Sequence, residues 1–351
     1  MFRRSGKKGN YAYTVARVKA KKSLLMKEED YSKMLMMSVP EISRYISETG
    51  YSKEMTDLAG KYVGLDLLEH ATYGSMAAVF GDILTASQGE LKDMVSAYLA
   101  KWDYWNLKVI LRGKTYGLDA EGIKGDLVPA GSLSAEALDK LISYETEDDI
   151  LTGFTALAHV AIPAEVISAY KAEKNLGVIE DYLDKCYYAN LIRSINPRSR
   201  PESLFLNYVK QEIDVKNLET ILKLKLEGIH GEAVMKYFIP GGKQIDLKFA
   251  TQLANAETID VAMSDIGQLD FYEDIKEGLE TASSSLMGVA SGMKKYEMDQ
   301  AKKFSHLYPL SVIPVLDFMI HKENEVSNIR IIARGTESGL DKEAIRKLLV
   351  I

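Results

Sequence analysis

The chain has 351 residues, 46% of them apolar and 27% charged, with a formal net charge of -6. This is the composition of a globular chain, and its charge gives no electrostatic basis for general nucleic-acid binding. The single cysteine, Cys186, rules out an internal disulfide framework and points to an intracellular compartment, and no run of about 18 apolar residues is present to span a membrane.

The first element is basic. Residues 1–22 carry Arg3, Arg4, Lys7, Lys8, Arg17, Lys19, Lys21 and Lys22 and no acid. From Tyr11 onward, Tyr11, Val15, Val18 and Leu25 form an apolar stripe. The pattern predicts an amphipathic basic helix behind a short flexible arm. Such a segment can approach an anionic lipid surface or an acidic partner, although a solvated face with a frayed terminus is the plainer reading of the same residues. Arg3, Arg4, Lys7 and Lys8 are the candidate contacts. The stretch lacks the apolar core of a signal peptide.

Further along, three segments share apolar residues and acids in similar order: "YSKMLMMSVPEI", "LDKLISYETEDDI" and "FATQLANAETIDV". The aligned positions are Tyr31/Leu138/Phe249, Leu35/Ile142/Leu253 and Ile42/Ile150/Val261. A stronger repeat follows each of them. "NLKVILRG" begins at Asn106, "NLETILKL" at Asn217 and "NIRIIARG" at Asn328, with identical spacing from first to second and from second to third. Gly117, Gly228 and Gly339 keep that spacing, as do Asp103, Asp214 and Glu325, Arg112, Lys223 and Arg334, and Ile110, Ile221 and Ile332. A period this long, held without insertion, reads as a triplicated unit of about 110 residues, far beyond solenoid repeats of roughly 20–50. The units are 1–129 with a basic amino-terminal extension, 130–240 and 241–351.

Leu, Ala, Lys, Glu and Met dominate, and the few prolines sit mostly at edges, so the chain reads as helix almost throughout. Leu107, Ile110 and Leu111 make a buried helical stripe rather than strand alternation. The repeated base suits the negative end of a helix dipole. The repeated glycine suits a chain leaving a helix at positive φ, after which Asp119 and Asp341 can cap the next helix. The second copy lacks the Arg-Gly ending, which predicts a weaker turn there. The expected fold is all-α: three similar helical bundles in tandem.

Candidate chemistry is sparse. "GKT" at 113–115 lacks the first glycine of a phosphate loop and ends a helix instead of opening one. The five histidines are scattered, and none pairs at metal-ligand spacing. His321 with Glu323 and Glu325 reads as a solvated face, and Cys186 as packing. Asn106, Asn217 and Asn328 could line a shared axis, but the apolar residues repeated beside them favour a structural hydrogen bond within each unit. The acid three residues earlier reads as a local helix contact. No catalytic residue, cofactor or metal site is expected.

Three stretches carry a resemblance: "YAYTVARVKAKKSLL" near the start, "WDYWNLKVILRGK" at 102–114 and "LSVIPVLDFMIHKENEVSNIRIIARG" at 310–335. Together they resemble the C subunit of the archaeal and bacterial A/V-type ATP synthases, related to the d subunit of the vacuolar ATPase, over essentially the whole chain. The resemblance implies three helical domains in a pseudo-threefold funnel and a non-catalytic rotor component. That component would be a peripheral protein on the cytoplasmic side of the membrane, seated on the rotor-ring proteolipid (the K/c subunit). It would accept the D and F subunits of the central stalk and transmit torque, with no nucleic acid and no small-molecule substrate as partner. The alternatives are a helical scaffold unrelated to rotary ATPases, or an enzyme with its site between the units.

Overall fold

The computed structural model describes residues 7–351. It contains twenty α-helices and, among the described residues, no strand. The all-α expectation is met, as leucine-rich sequence with few interior prolines requires. The helices pack into two compact units: residues up to Tyr187 with Phe318–Lys347, and Tyr188–Asp317 with Leu348–Ile351.

The first unit opens with α1 (Tyr11–Lys22), followed by the short helices α2 (Glu28–Met34), α3 (Val39–Ser47) and α4 (Ser52–Leu58). The longer α5 (Gly64–Ala86) and α6 (Gly89–Leu99) come next. Val15 and Val18 of α1 are buried as the stripe predicts, while Tyr11 is half-buried. The arm before α1 is not free from Lys7 onward. Glu90 N–H donates to the Lys7 carbonyl at 2.9 Å, Asn10 Nδ2 donates to the Ala86 carbonyl at 2.8 Å and Asn10 Oδ1 accepts from Gln88 N–H.

Then follow α7 (Lys101–Thr115), α8 (Ala120–Lys124), α9 (Ala135–Ser143), α10 (Glu147–Ala158), α11 (Ala164–Glu173) and α12 (Leu176–Ser194). Leu107, Ile110 and Leu111 of α7 are fully buried. Burying each stabilises by about 1.5–3 kcal/mol relative to exposure. Thr146 starts α10 by accepting from Asp149 N–H, and Thr258 does the same for Val261 in the second unit. These side chains satisfy amides that a helix start leaves open.

The second unit holds α13 (Arg200–Leu226), α14 (Glu232–Met235), α15 (Leu247–Asn255), α16 (Ile259–Ile266), α17 (Tyr272–Leu279) and α18 (Met287–Leu307). Its core joins Leu218 and Leu222 of α13, Leu253 of α15, Ile266 of α16, Ile275 of α17 and Met293 of α18. Gly278 and Gly288 let α17 and α18 touch backbone to backbone: a Cβ on Gly278 would lie 2.3 Å from the Gly288 carbonyl carbon. The last helices are α19 (Ile313–Glu337) and α20 (Lys342–Leu348). Most of α19 and nearly all of α20 pack in the first unit. The packing boundaries therefore differ from those of the sequence repeat.

Candidate functional site: repeated joints and a basic edge

The repeated acids Asp103, Asp214 and Glu325, with Asn106 and Asn217, sit on the long helices α7, α13 and α19, and each builds a joint to another part of the chain. Asn106 Nδ2 donates to the Val128 carbonyl and its Oδ1 accepts from Val128 N–H, both at 2.8 Å. Asn217 makes the same pair of bonds to Ile239, again 22 residues on. Both amides are buried. A buried amide that returns both bonds to one backbone residue fixes a loop against a helix and leaves little capacity for a ligand.

The acid beside each Asn acts at longer range than a local helix contact. Asp103 accepts from Ser132 N–H, Ser132 Oγ and Leu133 N–H at 2.7–2.9 Å. Asp214 accepts from the amides of Lys243, Gln244 and Ile245 at 2.8–3.0 Å. A carboxylate that gathers several amides orders a loop that has no helix or strand of its own. The loop must come close. A Cβ on Gly131 would lie 2.2 Å from the Asp103 carboxylate, and one on Gly242 2.2 Å from that of Asp214. Burial pushes both carboxyls up, and the amide bonds oppose it.

Glu325 finds two of its three partners near the other end of the chain. It accepts from Met26 N–H at 2.5 Å, from the Tyr51 hydroxyl at 2.6 Å and from Lys322 Nζ at 2.7 Å. Met26 stands as far before Leu133 as Tyr31 stands before Leu138, so Met26 and Leu133 occupy matching places in the repeat. The third acid thus holds the first copy's loop as Asp103 holds the second's. The basic position repeats the arrangement in two of the three copies, Lys223 being exposed. Arg112 binds Glu180 through Nε at 2.5 Å and Nη2 at 2.7 Å. Arg334 binds Glu69, and Asp126 at 2.9 Å. Glu69 and Glu180 are separated by the same interval as Asn106 and Asn217, so this pairing also wraps from the third copy to the first. Lys322 lies 3.9 Å over the Tyr51 ring. Burial depresses the Lys322 ammonium, and burial with the Glu325 charge drives the Tyr51 phenol far up.

The turn glycines behave as the spacing predicts. Gly117, Gly228 and Gly339 have φ of 71, 77 and 68°. After each, the next residue's N–H bonds back to the helix: Leu118 to Gly113, Ile229 to Leu224 and Leu340 to Gly335, at 2.8–2.9 Å. The second copy's turn is not weaker. The glycine it lacks serves packing rather than the turn. Gly113 and Gly335 make room for Ile123 and Ile345, where the second copy has Leu224 and the smaller Val234. Asp119 and Asp341 cap the following segments as expected.

Of the basic candidates, Lys7 and Lys8 lie exposed, with their backbone against Gly89 and Glu90 at the start of α6. Arg3 and Arg4 lie outside the described residues. Cys186 is half-buried, with Sγ 3.8 Å from the Tyr104 hydroxyl. Among the described residues no cluster of metal-ligating side chains occurs, and no helix is long and apolar enough to cross a membrane. The glycine cradles and the wrap from third copy to first were missed by sequence reasoning. The signal for both was present as spacing, since Gly131 and Gly242 keep the interval of the repeated asparagines.

Comparison with known proteins gives one family across the chain: the family described as ATP synthase (C/AC39) subunit matches residues 14–348. The A-type ATP synthase C subunit of Methanococcoides burtonii is 36% identical over 350 residues, covering 99% of this chain and 96% of that protein. The protein of the same name from Methanosarcina acetivorans is 36% identical, covering 98% and 94%. That of Archaeoglobus fulgidus is 35% identical, covering 99% and 98%.

Proposed function

This chain belongs to the ATP synthase C/AC39 subunit family, and on that premise we propose that it is the non-catalytic central-rotor piece of an A-type ATP synthase. In this reading it sits peripherally on the cytoplasmic side of the membrane. One face rests on the ring of K (or c) proteolipids, and the other takes the foot of the stalk, the D and F subunits. Torque passes through it between ATP synthesis or hydrolysis and ion translocation, while other members of the complex carry that chemistry. Family membership sets aside a scaffold unrelated to rotary ATPases.

The observation that carries the mechanical part is the wrap of the joint from the third copy to the first. Three similar copies joined head to tail make heterologous contacts, and such contacts close when the last copy meets the first. Glu325 on Met26 and Arg334 on Glu69 are contacts of that kind. They support three copies, 1–129, 130–240 and 241–351, arranged as a pseudo-threefold funnel. Stiffness in such a part comes from close-packed helices and from loops tied down by buried carboxylates, and no reactive group is needed for it.

The test is recovery of this chain from solubilised membranes. It should bring down a proteolipid ring together with D and F; purification free of both would end the proposal. Lys7 and Lys8, with Arg3 and Arg4, are proposed to face the ring or the headgroups around it. Replacing all four with Ala should weaken attachment of the assembled rotor to membranes, and unchanged attachment would remove that part alone.

A further inference from the structure

The end of α18 brings positive charge and bare apolar side chains to one corner of the second unit. Its last turns bury Ala301 and Ser305 and expose Lys302, Lys303, His306 and Leu307. Lys302 with His306 and Lys303 with Leu307 are each one helical turn apart, so the four share one face. Just past the helix, Pro309 and Leu310 are exposed as well. Leu307 and Leu310 are 58% and 64% exposed, whereas Val312 is fully buried.

The start of α13 meets this corner. The Arg200 guanidinium lies 4.9 Å over the Tyr308 ring, and Tyr308 in turn stacks on Phe304. Arg198 and Arg200 are both exposed. Neither residues 191–201 nor residues 300–316 contain an acid. Glu202, the next acid after Arg200, is turned to the helix cap, where it accepts from Ser199 N–H at 3.2 Å. Among the described residues Lys302 and Lys303 have no ion-pair partner. Basic residues recur at this turn of the repeat: Gly89 keeps the asparagine interval to Arg200, and the carbonyls of Lys7 and Lys8 lie against Gly89.

The corner's directional groups are spent inward. Tyr308 N–H donates to the Phe304 carbonyl at 2.8 Å, Ser311 Oγ to the Tyr308 carbonyl at 2.7 Å, and Ile313 N–H to Ser311 Oγ at 3.2 Å. His306 Nδ1 lies 2.7 Å from the Lys302 carbonyl. A peptide partner is read by backbone bonds and side-chain pockets. What this corner offers instead is mobile cationic side chains around projecting leucines, which suits a surface of anionic headgroups over acyl chains.

We infer that the corner made by the end of α18 and the start of α13 is a contact surface for anionic phospholipid. Lys302, Lys303, Arg198 and Arg200 meet the headgroups, and Leu307 and Leu310 enter the outer acyl region. This is a direct lipid affinity of the chain, separate from its proposed seat on a proteolipid ring and from the basic arm at residues 3–8.

Flotation of the full-length chain with vesicles, without ring or stalk, tests it. The chain should bind vesicles of phosphatidylcholine mixed with phosphatidylglycerol and leave those of phosphatidylcholine alone. Lys302→Ala with Lys303→Ala should lower the apparent affinity at least about fivefold, roughly the effect of one base near an anionic surface. Leu307→Ser with Leu310→Ser should lower it at least about threefold. All four side chains are exposed, so thermal melts should match the unmodified chain. Leu310→Trp should add emission that shifts to the blue on the anionic vesicles. No binding to anionic vesicles, equal binding to both kinds, or binding that neither pair alters would overturn the inference. So would binding to soluble polyglutamate as tight as to vesicles with no blue shift, which would assign the corner to an acidic protein partner. None of these outcomes bears on recovery of the ring with D and F, so the two readings fail separately.

Discussion

At Asp103 and Asp214 one carboxylate orders a loop well beyond the end of its own helix, and a glycine gives it room. The repeat made these acids visible in the sequence, but nothing local shows their partners. A carboxylate one turn before an Asn on a helix has the signature of a surface contact, and only the return of the chain at Ser132 or Lys243 reveals otherwise. Gly131→Ala and Gly242→Ala should each cost about 1–3 kcal/mol in denaturant unfolding, because the new Cβ must displace a buried carboxylate; neutral variants would mean the loop relaxes freely. The pH dependence follows from burial. Both carboxyls have folded-state pKa values raised above their unfolded ones. Their contribution is therefore fully present below about pH 4 and declines as pH rises through the folded-state value. The stability lost in Asp103→Asn should be larger at pH 4 than at pH 7, and a loss that grows with pH would contradict the assignment.

Helices and their ends were the most legible level. Apolar spacing, cap residues and the repeated glycine are local signals, and α7, α13 and α19 end with the same left-handed glycine and the same backbone bonds. Two helices end less comfortably. His159 after α10 has φ 54° and Lys174 after α11 has φ 50°, and both side chains are exposed. A side chain with a Cβ is strained in that region. His159→Gly and Lys174→Gly should each raise stability by about 0.5–1 kcal/mol, the relief of strain exceeding the added freedom of the unfolded chain. Gly117→Ala should lower it by about 1 kcal/mol. Urea midpoints measure all three, and a destabilised His159→Gly would show that the position carries an unrecognised side-chain contact.

At the scale of the whole chain, covalent order and packing order differ. The first copy's opening loop is held by a helix from the third. Glu325 is the centre of that seam, buried with Lys322, Tyr51 and the Met26 amide. Glu325→Ala leaves a buried ammonium and two donors without their acceptor, and should cost about 3–5 kcal/mol. Its effect should be two-sided, with faster hydrogen exchange both in residues 26–51 and in 318–337. Asp214→Ala, at a joint between neighbouring segments, should loosen only residues 239–255 and the adjoining part of α13. A Glu325 variant that loosens one side alone would mean the seam does not hold the two ends together.

By itself the sequence determined the period, the helical class, the turns between helices and the absence of any recognisable reactive motif. Each is written in spacing over a few residues or in faithful repetition, so it survives without a third dimension. Only the tertiary structure decided which loop each acid holds and that Glu325 and Arg334 reach back to the first copy. These depend on which surfaces meet when the chain is packed, and side chains distant in sequence carry no mark of one another until burial forces their polar groups to find partners.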